Sequence, residues 1–168
     1  MAVRQRRLKG SRPAHDPSGF ALSAGIAGSV LAAARLGRYG PLLWPGGRLW
    51  PLLAGIVLIV IGIGLRAWSI ATLGRFFQYR IEVQAGHQVV TDGPYRYVRH
   101  PSYSGLALAL IGIALASGDV LSLAAVVLLG GAGLAVRIRA EERQLTEALG
   151  APYERFAAER NRLVPGVW

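Results

Sequence analysis

One apolar segment constrains the fold of this chain more than any other feature. Residues 50–73 contain the run LLAGIVLIVIGIGL, and Arg66 is the single charge inside the segment. Its 24 residues exceed the roughly 20 helical residues that cross the hydrocarbon of a bilayer. We therefore predict an all-α integral membrane protein in which this segment is a transmembrane helix.

Composition agrees with a membrane protein and excludes several kinds of site. Of the 168 residues, 17% are charged, whereas an average soluble domain has about 25%. The absence of cysteine excludes disulfides, thiolate zinc sites and cysteine nucleophiles. Three histidines are too few for a membrane di-iron centre built from histidine boxes. None of them lies inside an apolar run, and this argues against an intramembrane hydrolase that uses a Ser-His pair. No metal site is predicted.

Three further apolar segments bring the prediction to about four transmembrane helices. Residues 19–36 and 50–73 form a first hairpin, joined by a turn rich in proline and glycine. Residues 103–137 form a second hairpin, which turns at Gly118 and Asp119. Close contact between helices is expected at seven glycines, which have no side chain to keep the helices apart: Gly25, Gly28, Gly62, Gly64, Gly130, Gly131 and Gly133.

The net charge of +10 is distributed unevenly about these spans. The tail 1–18, the connector 74–102 and the C-terminal region 138–168 share one side of the membrane, and 15 of the 19 basic residues fall there if Arg137 is counted with them. The positive-inside rule then places both termini and the connector in the cytoplasm, with the chain in the inner membrane. Topology accounts for the surplus, so no nucleic-acid partner is predicted.

The connector 74–102 is long enough to carry a site. Alternating residues in 77–83, and an extended piece in 87–91 that ends in Asp-Gly-Pro, predict a small extended flap. Pro101 then suits the first turn of a helix. The tyrosines and arginines of 95–105 have a second interpretation, an aromatic and basic belt at the membrane interface.

Two arginines stand out beyond the connector. If the last span continues past the membrane, Arg137 and Glu141 share a face at i and i+4, as an ion pair or as part of a site. Arg66 lies within a span, where a guanidinium is a functional candidate unless it extends to the headgroups. Gly150 is expected to end the helix, and the next helix should bury Tyr153 and Phe156.

Four ordered motifs resemble the isoprenylcysteine carboxyl methyltransferase family and the related phospholipid methyltransferases. They are HQVVTDGPYRYVRHPSYSG (87–105), RIRAEERQL (137–145), GAPYERF (150–156) and RLVPG (162–166). The resemblance covers about residues 55–168, so the first apolar segment lies outside it. The chain has fewer spans than eukaryotic members of the family. It also has Arg80 at the position where those relatives have a polar, uncharged residue that contacts the cofactor.

The resemblance implies S-adenosylmethionine as methyl donor, with S-adenosylhomocysteine as product, in a cytoplasm-facing pocket. Arg137 is implied to be catalytic by binding the substrate carboxylate, and we add Arg66 as a second substrate-binding candidate. The implied cofactor contacts are His87, Gln88, Val89, Val90, Tyr95, His100, Pro101, Ser102, Tyr103 and Glu141.

The resemblance implies O-methylation of a carboxylate on an isoprenylcysteine-like, lipid-attached acceptor or on a small hydrophobic one. A carboxylate is already ionised at neutral pH, so it requires an orienting cation and no base. Methylation of a phospholipid or another amine is the alternative, and it would require a base such as His100, Glu142 or a tyrosine. A non-catalytic membrane protein that binds or assembles partners is the third hypothesis. The expected partners are the bilayer and the hydrophobic acceptor.

Overall fold

The computed structural model describes residues 17–39, 47–74 and 89–168. Within these ranges the regular secondary structure is helical, which confirms the all-α prediction. A 3-10 helix, Gly93–Arg96, lies between the second and third α-helices. The α-helices are α1 (Pro17–Tyr39), α2 (Leu49–Leu73), α3 (Pro101–Ala116), α4 (Val120–Leu149) and α5 (Ala151–Glu159).

Among the described residues, three helices are long and apolar enough to cross a membrane: α1, α2 and α4. Helix α3 is also apolar, but its 16 residues reach only about 24 Å. The outer face of α2 exposes a row of large apolar side chains that includes Leu53, Val57 and Val60. Exposure of this kind is stabilising in lipid and unfavourable in water, which agrees with a membrane-spanning helix.

Two pairs of glycines bring α2 and α3 into backbone contact. A Cβ built on Gly62 would lie 2.5 Å from the carbonyl oxygen of Gly105, and one on Gly55 would lie 2.5 Å from that of Gly112. Both helices carry their glycines seven residues apart, so an antiparallel pair meets at both points. Of these four glycines, only Gly62 was predicted as a contact.

Helix α1 packs mainly on α4, again through small residues. A Cβ on Gly25 would lie 2.7 Å from the carbonyl oxygen of Leu129, which belongs to a π-helical turn of α4 at Val126–Gly130. The sequence did not predict this turn. Close contact is confirmed at Gly25 and Gly133 but is wrong at Gly64 and Gly131, where a Cβ would meet nothing within 4 Å.

The predicted polar turn between α3 and α4 is confirmed. Gly118 has a φ of 78°, and the buried Asp119 is the N-cap of α4. Its carboxylate accepts hydrogen bonds from the backbone N–H of Ser122, at 2.9 Å, and from the hydroxyl of the same residue, at 3.1 Å. The first of these bonds satisfies the N–H of Ser122, a backbone donor that has no partner within the first turn of a helix.

The continuation of α4 past the last predicted span is also confirmed. The helix ends at Leu149, and Gly150 (φ 57°) separates it from α5, which buries Tyr153 and Phe156 as predicted. Helix α3 begins at Pro101, two residues before the predicted span. The flap strand predicted at 77–83 lies outside the described residues, and the end of the second, at 89–91, is irregular.

Candidate active site

A tyrosine hydroxyl joins α3 to α4 at the start of α3. The hydroxyl of Tyr103 donates to Oε2 of Glu141 at 2.7 Å and accepts from Nε of Arg137 at 3.2 Å. The two charged residues lie one helical turn apart on α4, on the face that the i,i+4 spacing predicted. This Arg137–Tyr103–Glu141 relay places a cation and a carboxylate on either side of one neutral hydroxyl.

Helix α1 contributes to the same cluster. Its second residue, Ser18, is 2% exposed, and its hydroxyl accepts a hydrogen bond from a terminal nitrogen of Arg137 at 3.1 Å. The guanidinium is therefore held from α3 and from α1, and Arg137 is itself only 4% exposed. Sequence reasoning missed Ser18, because it precedes a run of small residues and lies outside the resembling motifs.

A second carboxylate, Glu142, is paired on both of its oxygens. Oε1 lies 2.8 Å from a terminal nitrogen of Arg99 and 3.3 Å from Nε2 of His100. Oε2 accepts from Nε of Arg162 at 2.9 Å. The imidazole of His100 also lies between the two glutamates, with Nδ1 3.9 Å from Oε1 of Glu141. Two arginines thus neutralise Glu142 and hold it against His100.

The segment after α5 binds the loop that leads into α3. The backbone N–H of His100 donates to the carbonyl of Arg162 at 2.9 Å, and the hydroxyl of Ser104 donates to that of Leu163 at 2.6 Å. An isolated parallel bridge joins Val98 to Asn161. These bonds fix His100, the N-cap of α3, from the C-terminal side of the chain.

Two further predicted residues border the cluster. Tyr95 is buried in the 3-10 helix, and burial, followed by the charge of Glu141, raises its pKa above the ordinary value, so the phenol stays neutral. Arg66 donates to the hydroxyl of Ser102 at 3.0 Å and to the carbonyl of the same residue at 3.4 Å. Arg66 therefore binds the first turn of α3 from inside the bundle.

The structure brings most of the predicted site residues to one region and leaves a few elsewhere. Val89 and Val90 are half-buried before the 3-10 helix, while His87 and Gln88 lie outside the described residues. No group of three potential metal ligands occurs in the described ranges. The predicted residues at the junction of α3 with the 3-10 helix and α4 are Tyr95, His100, Pro101, Ser102, Tyr103, Arg137 and Glu141.

Comparison with known proteins identifies the family. The model of the isoprenylcysteine carboxyl methyltransferase (ICMT) family matches residues 55–147, more than half of the chain. The chain belongs to the isoprenylcysteine carboxyl methyltransferase family. The match covers Arg66 and the relay, whereas Ser18 and Arg162 fall outside it.

Relatives and a solved structure support the membership. A probable protein-S-isoprenylcysteine O-methyltransferase of Oryza sativa is 33% identical over 115 residues, which is 67% of this chain and 60% of the relative. Protein-S-isoprenylcysteine O-methyltransferase A of Arabidopsis thaliana is 32% identical over 130 residues, 75% and 66% of the two chains. The structure of the eukaryotic intramembrane Ras methyltransferase ICMT superposes with a TM-score of 0.71 at 25% identity, covering 92% of this chain and 54% of that one. The ICMT-family chain described here thus spans little more than half the length of that structure.

Proposed function

We propose that this chain is an integral membrane methyltransferase that uses S-adenosylmethionine to O-methylate a carboxylate on an isoprenylcysteine-like, lipid-attached acceptor. The Arg137–Tyr103–Glu141 relay is the main support for the proposal. It places a cation that can bind the carboxylate of the methyl acceptor beside a glutamate that can accept hydrogen bonds from S-adenosylmethionine. The names and fold of the relatives agree with this chemistry.

The residues at the start of α3 fit the donor. Glu141 is partly exposed, with 26% of its side chain accessible, and its carboxylate can accept from ribose hydroxyls or from an ammonium group. Tyr103 orients that carboxylate, Nδ1 of His100 lies 3.9 Å from it, and its charge acts on Tyr95. Ser102 lies beside His100 on the first turn of α3, and the resemblance adds residues 87–90. When bound, the donor supplies a methyl group on a positively charged sulfur.

Arg137 is proposed to hold the acceptor. A guanidinium binds a carboxylate through two parallel hydrogen bonds, which fixes the direction of the attacking oxygen. Burial strengthens this attraction, because the effective dielectric is lower than in water. Positioning of this kind supplies much of the catalysis when the acceptor requires no activation. Arg66, which lies on α2 and binds the first turn of α3, is the second candidate for contact with the acceptor.

The surroundings favour a carboxylate acceptor over an amine. An amine must lose a proton before it attacks, and this needs a base within reach. Glu142 is occupied by Arg99 and Arg162, and burial keeps Tyr95 a neutral phenol. His100 remains, with its Nε2 already against Glu142. A carboxylate acceptor requires none of these groups.

Orientation completes the proposal. With both termini and residues 74–102 in the cytoplasm, the cluster lies at the inner leaflet, and residues 138–168 form part of the site. The hydrophobic part of the acceptor enters from the bilayer, and the donor enters from the cytoplasm.

Methyl transfer in membranes tests the function. Membranes that contain the protein are incubated with methyl-labelled donor and a prenylated cysteine, and the product is treated with mild base. We expect base-labile label, released as methanol, in wild type and in Glu154→Ala, whose carboxylate is exposed on α5, and a loss of label in Glu141→Ala. Base-stable label in phospholipid would indicate N-methylation instead. No transfer at all would contradict enzymatic activity on this acceptor.

A further inference from the structure

A basic cavity lies on the side of α4 away from the relay. It has a volume of about 380 Å³ and is lined by Arg139, Glu142, Arg143, Thr146, Glu147 and Arg162. At about 100° per residue, Arg139 and Arg143 point within about 40° of each other, whereas Arg139 points about 160° away from Arg137. Arg139 and Arg143 therefore face away from Arg137, although the cavity shares Glu142 and Arg162 with the cluster around His100.

The charges of this cavity are not balanced. Glu142 faces it but is already bound by Arg99 and Arg162. Arg139 and Arg143 are exposed, and neither has an ion-pair partner among the described residues. Glu147 is the remaining carboxylate of the lining. The cavity therefore offers two guanidinium groups to an anion.

Its depth matches the headgroup layer. Helix α4 begins at Val120, and about 20 helical residues cross the hydrocarbon, so the helix leaves it near Arg139. Arg143 lies one turn, about 6 Å, further toward the cytoplasm. On the other wall, the guanidinium carbon of Arg162 lies 5.1 Å from the ring centre of the partly exposed Trp168. Tryptophan and arginine side by side are typical of the membrane interface.

We propose that this cavity binds the phosphate group of an anionic phospholipid of the inner leaflet. Two guanidinium groups one turn apart match a phosphate, and the Thr146 hydroxyl can donate to another of its oxygens. The acyl chains then lie along the membrane part of α4. Binding of the phosphate does not depend on the proposed methyl transfer, since Arg139 and Arg143 lie on the face of α4 opposite Arg137.

Lipid binding by the purified full chain tests the site. The protein in detergent is titrated with phosphatidylglycerol or phosphatidylcholine, and bound lipid is counted by native mass spectrometry. Because each arginine near an anionic lipid adds to binding, the double variant R139Q/R143Q should bind phosphatidylglycerol at least about tenfold more weakly. R96Q/R155Q removes the same charge from exposed positions outside the cavity and should bind as wild type does.

The remaining arms identify the source of the phosphate and check folding. Equal losses in both double variants would show only general charge attraction, and equal binding of phosphatidylcholine would show no preference for an anionic headgroup. Either result would overturn the proposal. Inorganic phosphate that displaces the lipid at comparable concentration would identify a soluble ligand and also contradict it. If R139Q/R143Q melts at the same temperature as wild type, its loss of lipid comes from the cavity and not from unfolding. If it melts at a lower temperature, R139K/R143K, which keeps both charges, should bind lipid as wild type does; a loss of binding in that variant as well would overturn the proposal.

Discussion

The contact between α2 and α3 allows a sharp test of the fold with two alanine substitutions. In Gly62→Ala the new Cβ would lie 2.5 Å from the carbonyl oxygen of Gly105, about 0.9 Å short of the 3.4 Å at which ordinary contact begins. It would also lie 2.7 Å from the backbone nitrogen of Ala109, so backbone must move. Overpacking of this kind costs about 1–3 kcal/mol. In Gly64→Ala the new Cβ meets nothing within 4 Å.

Both variants gain the same helix propensity from alanine, so the difference between their stabilities measures the clash at Gly62. We expect Gly62→Ala to melt on the order of 5 °C below Gly64→Ala in detergent, followed by tryptophan fluorescence. Transfer should also fall, because Gly105 follows Tyr103 by two residues and a displacement of about 1 Å can cost about a hundredfold in rate. Equal melting temperatures and equal rates for the two variants would refute the glycine contact.

Three further variants test the site and the turn. Tyr103→Phe removes the hydroxyl that bonds Arg137 and should lower the transfer rate about tenfold to a hundredfold, because hydrogen bonds to charged groups contribute about 1.5–3 kcal/mol; an unchanged rate would contradict the relay. Ser18→Ala, which loses its hydrogen bond to Arg137, should raise the KM for the methyl acceptor about tenfold and leave donor binding in calorimetry unchanged. The control Ser29→Ala loses a hydrogen bond within α1 and should change neither quantity; equal effects of the two variants would contradict the role of Ser18. Asp119→Ala removes the N-cap of α4 and should cost about 1 kcal/mol of stability at unchanged activity of the folded protein, and a melting curve equal to that of wild type would argue against the cap.

The sequence predicted those features that arise from neighbouring residues. Length and hydropathy located α2 to within one residue of its start, and Gly150 correctly marked the end of α4. Periodicity placed Arg137 and Glu141 on one face, because helical geometry alone determines it. The π-helical turn at Val126–Gly130 was not predicted; no local residue pattern marks it, and it lies where α1 packs against α4.

Contacts between distant segments could not be predicted from spacing. The pairing of α2 with α3 depends on the orientation of their glycines, and a run in which almost every residue is apolar does not reveal the rotation of a helix. Ser18 and Arg162 reach the cluster from positions far from the motifs, so no local pattern marks them. Only the resemblance indicated that the connector and the end of α4 meet at one site.

Donor binding tests the central claim most directly. The claim is that the start of α3 and the cytoplasmic end of α4 enclose one site for S-adenosylmethionine. Titration calorimetry of the purified full chain with S-adenosylhomocysteine should show saturable binding that Glu141→Gln weakens about tenfold or more and that Glu154→Gln leaves unchanged. Equal affinity in all three proteins, or no binding to the wild type, would contradict the account.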